Sequence, residues 1–164
     1  MTPPDTVALF PASFDPITNG HLDVARRALR IFGRLVMGVA VNVTKTGTFT
    51  IDERMEMVRA ELGENPRVEI TAFDGLTVDY ARSIGAAVVI RGVRARSDFE
   101  YEFEMALMNK RLYADVETVF MLPSQEYMFV SSSRLKELVR FGRDVEEFVP
   151  AEVAKRLRAR LGGD

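Results

Sequence analysis

Short apolar runs alternate with amphipathic stretches along the chain, and this alternation constrains the fold more than any other feature. Apolar runs rich in branched residues predict five strands, at 7–10, 35–41, 68–71, 86–90 and 116–122. Helical periodicity predicts six helices, at 22–32, 50–62, 77–84, 97–113, 131–141 and 150–161. Strands that alternate with helices form a parallel sheet covered on both faces. We therefore expect one α/β domain over residues 1–164, closed by a C-terminal helix at about 150–161.

Capping boxes predict where two of the helices begin. Thr50-Ile51-Asp52-Glu53 and Ser97-Asp98-Phe99-Glu100 both have the required spacing. The predicted helix at 97–113 carries two apolar stripes on opposite sides. One consists of Phe99, Phe103 and Ala106, and the other of Tyr101, Met105, Met108 and Leu112. A helix that is apolar on two faces is expected to be buried twice. It is then either a central core helix, or a helix that contacts another subunit or lines a ligand channel.

Residues suited to binding phosphate follow the predicted strands and do not precede them. In strand order they are Ser13 and His21, Lys45, Thr77, Arg91 and Arg94, and Ser131–Ser133. The ligand crevice of a parallel sheet lies at the carboxyl ends of its strands. The pattern therefore predicts one shared site at this edge of the sheet.

The loop after the first strand has the features of an anion-binding turn. The strand ends at Phe10 and a helix starts near Gly20, where free backbone N–H groups attract anions and the glycine permits close approach. A helix N-terminus disfavours protonated histidine, so His21 is better interpreted as a hydrogen-bond donor than as a strong base. The alternative is that Thr18 or Asn19 merely caps the helix and His21 is a surface residue.

Two arginines leave a strand made of apolar residues. Guanidinium groups at Arg91 and Arg94 suit phosphate binding. The alternative is surface ion pairing with Asp98, Glu100 or Glu102.

The segment from Pro11 to Asp23 resembles the signature of nucleotidyltransferases that share a (His/Thr)-x-Gly-His loop. Within them, the chain resembles the phosphopantetheine adenylyltransferase family over roughly residues 7–160. The closer resemblance rests on Ile90–Arg94 with the following 98–102, on Leu122-Pro123-Ser124, on Ser131-Ser132-Ser133 and on Asn109. It implies a Rossmann-like nucleotide-binding fold with a five-stranded parallel sheet. It also implies in-line transfer of the adenylyl group of ATP to 4′-phosphopantetheine without a covalent enzyme intermediate. The products would be dephospho-coenzyme A and pyrophosphate, in coenzyme A biosynthesis.

The resemblance also implies roles for individual residues. His21 would stabilise the transition state, with Ser13, Lys45 and Arg91 as its catalytic partners. The implied ATP site comprises Ser13, Phe14, His21, Gly92, Val93, Arg94, Glu102, Tyr127, Met128, Phe129, Val130, Ser131, Ser132 and Ser133. The implied acceptor site comprises Ser13, Lys45, Leu76, Thr77, Arg91, Met105, Met108 and Asn109. Magnesium would accompany ATP without a dedicated set of protein ligands. The family is typically hexameric, and feedback binding of coenzyme A is a family expectation.

Four positions depart from the usual pattern of the family. Ala12 stands where glycine is more common, and Ser13 replaces the more frequent threonine. Thr46 replaces a second basic residue, and Tyr127 stands where many members have tryptophan. None of these changes removes a group that the mechanism requires.

Composition excludes several other classes of function. The net charge of −2 is unfavourable for binding long nucleic acids. The absence of cysteine and the presence of a single histidine exclude thiolate chemistry and multi-histidine metal sites. No apolar run is long enough to span a membrane, and Met1–Asp5 does not have the pattern of a signal peptide. A cytoplasmic protein is expected.

Two alternative functions stay open at this point. One is a sister enzyme that uses the same first loop, either an adenylyltransferase for nicotinate mononucleotide or a cytidylyltransferase. The other is a nucleotide-binding regulatory module without catalysis.

Overall fold

The computed structural model describes residues 5–42, 46–94 and 96–162, and Lys45 lies outside these ranges. The strands of the described chain are β1 (Val7–Ala12), β2 (Arg34–Ala40), β3 (Val68–Phe73), β4 (Val88–Gly92) and β5 (Glu117–Met121). Its helices are α1 (Asn19–Ala28), α2 (Ile51–Leu62), α3 (Thr77–Ser83), α4 (Arg96–Leu112), α5 (Ser132–Arg140) and α6 (Ala151–Leu161). None of these helices is long and apolar enough to cross a membrane.

The five strands form one parallel sheet in the order β3-β2-β1-β4-β5. This confirms the predicted α/β class. Because β1 lies in the middle, its side chains are buried on both faces, with Phe10 in the larger hydrophobic cluster and Leu9 in the smaller one. The strand order reverses between β1 and β4, and the loops that leave these two strands diverge to open a crevice there.

Local capping explains where the helices begin. Thr50 and Glu53 form the predicted capping box, so α2 begins at Ile51. Helix α1 begins at Asn19, three residues before its predicted apolar period, because Thr18 caps it. Helix α4 begins at Arg96, one residue before its predicted start at Ser97.

Helix α4 is not a central core helix in this chain. Both of its apolar stripes face outward, with Tyr101 63% exposed and Met108 57% exposed. Phe99 makes an edge contact with Phe120 of β5 at 5.5 Å between ring centroids, which secures one side of the helix. Helical periodicity shows which residues share a face, but it does not show whether the same chain supplies the covering partner. The core-helix interpretation is therefore wrong.

A buried carboxylate, Asp15, joins four segments below the crevice. Its two oxygens accept the backbone N–H groups of Thr48 and Phe49, both at 2.9 Å. The Nζ of Lys136 on α5 lies 3.2 Å away, and the Nε of Arg54 on α2 lies 3.4 Å away. Burial by itself raises the pKa of Asp15, but the two N–H donors and the two cations together lower it below its ordinary value.

We expect Asp15→Asn to lower the free energy of unfolding by about 3 kcal/mol, because removal of one buried charge leaves Arg54 and Lys136 without compensation. Chemical denaturation followed by circular dichroism measures this loss. Glu69→Gln is the matched control, since Glu69 pairs with Arg34 at the surface and both side chains are more than half exposed. Glu69→Gln should lower the free energy of unfolding by less than about 0.5 kcal/mol. Equal losses in the two variants would contradict a structural role for the Asp15 network.

The contribution of Asp15 to stability should depend on pH in a defined direction. Because its pKa is lower in the folded chain than the ordinary 3.8, the contribution is complete above that value and is lost as the pH falls through the folded pKa. The difference in stability between the native chain and Asp15→Asn should therefore narrow in acid below about pH 4. A difference that stays constant there would show that the carboxylate charge is not responsible.

Candidate active site

A cavity of about 510 Å³ opens at the carboxyl ends of β1 and β4, where the strand order reverses. Most of the residues assigned to the nucleotide by resemblance lie on its surface. They are Ser13, His21, Gly92, Arg94, Glu102, Tyr127, Val130, Ser131, Ser132 and Ser133, and Arg91, which was assigned to the acceptor, lies beside them. The structure therefore brings together residues from helix α4 and from three loops, which follow β1, β4 and β5.

His21 lies at the floor of this cavity, in the first turn of α1. Its Nδ1 accepts the backbone N–H of Thr18 at 3.1 Å, and the Thr18 hydroxyl accepts the backbone N–H of His21 at 3.3 Å. The two residues thus form a capping box in which histidine stands where glutamate usually does. The ring packs edge-on against Phe14 at 5.1 Å and lies 6.2 Å from the ring of Phe10. Thr18 does cap the helix, as the alternative interpretation held, but His21 is only partly exposed and lines the cavity.

The imidazole of His21 is neutral at physiological pH. Burial among aromatic rings lowers its pKa from 6.5 to about 4, and the positive charge of Arg94 contributes to the same direction. Since Nδ1 accepts a backbone N–H, the proton of the neutral ring resides on Nε2. The ring therefore presents an N–H donor, not a base, on its remaining edge.

The loop between β1 and α1 exposes Ser13 and buries Phe14. Phe14 has a φ of +44°, in the left-handed region, and its side chain is buried in the core against Phe10. The ring of Phe14 supports His21 from below and does not line the cavity. Arg54 donates to the carbonyl of Ser13 at 3.4 Å, which connects this loop to the Asp15 network.

Arg91 makes a bidentate ion pair with Glu102. Its Nε and Nη2 donate to the two carboxylate oxygens, each at 2.6 Å, and its Nη1 donates to the carbonyl of Pro11 at 3.0 Å. Arg94 similarly donates to Asp98 at 3.2 Å and to the carbonyl of Val130 at 2.7 Å. Both arginines therefore form the ion pairs of the alternative interpretation, and both still line the cavity. An arginine whose Nε edge is held by a carboxylate keeps N–H groups on its outer edge for an anion.

A second cavity, of about 200 Å³, adjoins the first between α3, α4 and β4. Four of the residues assigned to the acceptor lie here besides Arg91: Leu76, Thr77, Met105 and Asn109. Arg91, Tyr101 and Glu102 line both cavities and form the wall between them. Tyr101 was not among the site residues predicted from the sequence, although its spacing from Met105 puts the two on one face of α4.

The run of three serines has both structural and exposed groups. Ser131 caps α5 by accepting the backbone N–H of Arg134 at 3.2 Å, and the Ser132 hydroxyl donates to the carbonyl of Pro16 at 2.8 Å. All three serines border the larger cavity at the N-terminus of α5. This helix end adds partial positive charge and N–H donors to that wall.

Some predicted site residues do not line either cavity. Val93 is buried, Met108 is exposed on α4, and Phe129 borders a separate apolar cavity of about 400 Å³. Met128 follows the 3-10 turn of Gln125–Tyr127 without lining a described cavity, and Lys45 lies outside the described residues.

Comparisons with known proteins agree with this geometry. Residues 9–138 match the family model described as cytidylyltransferase-like. The chain is 50% identical over 155 residues to the phosphopantetheine adenylyltransferase of Anaeromyxobacter sp. (strain K), covering 94% of each chain. It is 49% identical over 157 residues to the enzyme of the same name from Heliobacterium modesticaldum, covering 96% of this chain and 94% of that one.

A solved structure shows the same fold at much lower sequence identity. It is the nicotinic acid mononucleotide adenylyltransferase of Plasmodium falciparum complexed with NaAD, with a TM-score of 0.67 and 13% identity. The match covers 93% of this chain and 94% of that one. This likeness shows the fold alone, which is Rossmann-like, and the family is shown by the identity of about one half to the two relatives named above. The chain belongs to the phosphopantetheine adenylyltransferase family of cytidylyltransferase-like proteins.

Proposed function

We propose that this chain transfers the adenylyl group of ATP to 4′-phosphopantetheine, giving dephospho-coenzyme A and pyrophosphate in coenzyme A biosynthesis. The observation that carries the proposal is the position of Arg91, which lines both the larger and the smaller cavity. A transfer between two phosphates needs two adjacent pockets that share cationic and N–H donors at their junction. The larger cavity suits ATP, and the smaller one, with its mixed apolar and amide lining, suits a pantetheine arm.

The reaction in this site is an in-line displacement at the α-phosphorus of ATP. An oxygen of the acceptor phosphate forms a bond to that phosphorus, and the bond to the bridging oxygen of pyrophosphate breaks. A phosphate monoester is already largely ionised at neutral pH, so no protein base is needed to create the nucleophile. Catalysis then depends on positioning and on stabilisation of charge.

His21 supplies the charge stabilisation at the α-phosphate. Its Nε2–H donor is fixed in direction by the Thr18 bond on Nδ1 and by the Phe14 ring. A donor that is oriented in advance and shielded from water is worth more to a developing charge than one in solution. Ser13 and the Ser131–Ser133 helix end contact the remaining phosphate oxygens, and Arg91 and Lys45 hold the acceptor phosphate.

Magnesium is proposed to arrive with ATP. Within the described ranges, no three histidine, aspartate or glutamate side chains gather into a metal site. The two carboxylates that line the larger cavity, Asp98 and Glu102, are each paired with an arginine. These residues suit an ion carried by triphosphate oxygens and water, where it would neutralise phosphate charge.

Helix α4 supports a homo-oligomer, which we place at a hexamer. Its exposed apolar residues are more numerous than an isolated surface helix usually carries: Phe99, Tyr101, Phe103, Met105, Leu107, Met108 and Leu112. A second copy of the chain would cover those that line neither cavity, which leaves out Tyr101 and Met105. Coenzyme A shares the pantetheine arm of the acceptor and would compete for the smaller cavity.

Because ATP and the acceptor are cytoplasmic metabolites, the cytoplasm is the proposed location.

An acceptor panel tests the proposed reaction. We expect pyrophosphate release from ATP with 4′-phosphopantetheine and none with nicotinate mononucleotide, and CTP should not replace ATP. A coupled pyrophosphate assay measures all three combinations. Preference for another acceptor would overturn the proposed substrate but spare nucleotidyl transfer, whereas ATP binding without turnover on any acceptor would favour a regulatory module.

His21→Ala should separate binding from turnover. Loss of the Nε2–H donor should lower kcat by about a hundredfold to a thousandfold. This is the effect of removing one hydrogen-bond donor to a developing oxyanion in other enzymes. ATP affinity, measured by calorimetry on the same variant, should change far less. A melting curve checks that loss of the helix cap has not unfolded the chain. Near-normal turnover would remove His21 from its proposed role.

The protonation state of His21 can be observed directly, because it is the only histidine in the sequence. One imidazole signal is expected in NMR spectra of the whole protein, titrating near pH 4 and not near 6.5. The nitrogen shifts should correspond to a neutral ring protonated on Nε2 above that pH. A midpoint near 6.5, or a proton on Nδ1, would contradict the assignment of His21 as a neutral donor.

A further inference from the structure

Asp23 lies two residues after His21 on α1 and does not line the cavity. Its Oδ2 accepts the backbone N–H of Ser124 at 2.8 Å and the Nη1 of Arg27 at 3.2 Å. Its Oδ1 accepts the hydroxyl of Ser124 at 2.9 Å. Arg27 in turn donates to the carbonyl of Leu122 at 2.6 Å. Asp23 and Arg27 thus bind two residues of the turn that follows β5, Leu122 and Ser124, on either side of Pro123.

This turn begins one wall of the larger cavity. The carbonyl of Ser124 accepts the N–H of Tyr127 at 2.8 Å, and the carbonyl of Tyr127 accepts the N–H of Val130 at 3.0 Å. Pro123, Tyr127 and Val130 all line the cavity opposite the start of α1. A displacement of Ser124 would therefore be transmitted along the backbone to the whole wall.

The wall meets the start of α1 at a closely packed point. A Cβ placed on Gly20 would lie 3.3 Å from the Cβ of Tyr127, which is tighter than an ordinary contact. Gly20 is thus needed for Tyr127 to approach the turn that carries His21. This contact and the hydrogen bonds of Asp23 are thus two places where α1 meets the segment after β5.

An ordinary helical ion pair is the simpler explanation of Asp23. Asp23 and Arg27 are four residues apart on α1, and exposed pairs of this kind contribute little. However, the Asp23 side chain is only 17% exposed, and two of its three donors come from Ser124, 101 residues away. Burial by itself raises the pKa of Asp23, but the Ser124 and Arg27 donors lower it, which favours an ionised acceptor. A surface ion pair alone does not account for contacts that converge on one distant turn.

We propose that Asp23 is a positioning residue for the nucleotide half of the reaction: through Ser124 it holds the Pro123–Tyr127 wall at a fixed distance from His21. Asp23 does not line either cavity, so it acts without touching a ligand. The proposal rests on the proposed ATP site and deepens it. It predicts an effect on ATP binding and little effect on the acceptor, whose cavity lies on the other side of Arg91.

The test is a double-mutant cycle with Asp23→Asn and Ser124→Ala. Asp23→Asn keeps the shape but loses the charge, and it should raise the KM for ATP about tenfold, the equivalent of one charged hydrogen bond of about 1.4 kcal/mol. Ser124→Ala removes the hydroxyl bond to Asp23 but keeps the bond from the backbone N–H, so it should raise the KM for ATP less than Asp23→Asn does. The double variant should be no worse than Asp23→Asn alone, because both changes disable one contact. The KM for the acceptor should stay within about twofold.

Two matched substitutions serve as controls. Asp144→Asn removes a surface ion pair with Arg158, and Ser83→Ala removes an exposed hydroxyl bond to the carbonyl of Tyr80. Both should leave the KM for ATP unchanged. An unchanged KM for ATP in folded Asp23→Asn would overturn the proposal. A parallel rise in both KM values with a lowered melting temperature would overturn it in favour of a general structural role.

Hydrogen–deuterium exchange gives a readout that does not depend on activity. In Asp23→Asn without ligand, the peptide over 122–127 should exchange faster, while peptides from β1 and β2 should not change. Unchanged exchange at 122–127 would also overturn the proposal, and Ser124→Ala provides the same measurement if Asp23→Asn does not fold. If the native chain fails to bind ATP, the proposed function fails, but the exchange experiment still reports whether Asp23 holds the turn.

Discussion

The site depends on one buried negative charge, the carboxylate of Asp15. It connects the loop after β1 to the N–H groups of Thr48 and Phe49, and it is held by Lys136 of α5 and Arg54 of α2. A buried carboxylate is tolerated only with such complete compensation. Each partner therefore has to be in place for the buried charge to be stable, and the network makes one unit of the loop after β1, α2 and α5. Arg54 extends the unit to the backbone of Ser13.

The two arginines of the site are also held in place by carboxylates, each by a single one. Arg91 is held by Glu102 and Arg94 by Asp98 before any ligand is bound. Each carboxylate reduces the local positive charge, yet it also fixes the direction of the guanidinium. Donors that are already oriented lose little entropy when a phosphate arrives. His21 shows the same principle without charge, because Thr18 and Phe14 decide which nitrogen carries the proton and where it points.

Much of the site could be predicted from the sequence because its determinants are local. The parallel sheet followed from the alternation of apolar and amphipathic segments, and the start of α2 followed from Thr50 and Glu53 three residues apart. The capping box of Thr18 and His21 has the same spacing and could have been found by the same rule if histidine had been considered as the acceptor. The exposure of α4 in this chain could not be predicted. Periodicity shows which residues share a face of the helix, but it does not show whether another part of the same chain packs against that face.

The family resemblance implied many of the residues that line the two cavities. The sequence pattern by itself determined the α/β class, the edge of the sheet where the cavities open, and the lining residues Ser13, His21, Thr77, Arg91, Arg94 and Ser131–Ser133. These properties depend on patterns within a few residues and on the rule that parallel strands end at one edge. Only the tertiary structure decided that Arg91 separates two cavities, that Glu102 holds it, and that Asp23 binds Ser124. Asp23 and Ser124 lie 101 residues apart, and their bonds form only once the order β3-β2-β1-β4-β5 brings their segments together. Arg91 and Glu102 are 11 residues apart, and they pair because α4 folds back beside the end of β4. Hydrogen-bond geometry at that range is a property of the packed sheet, which no local pattern encodes.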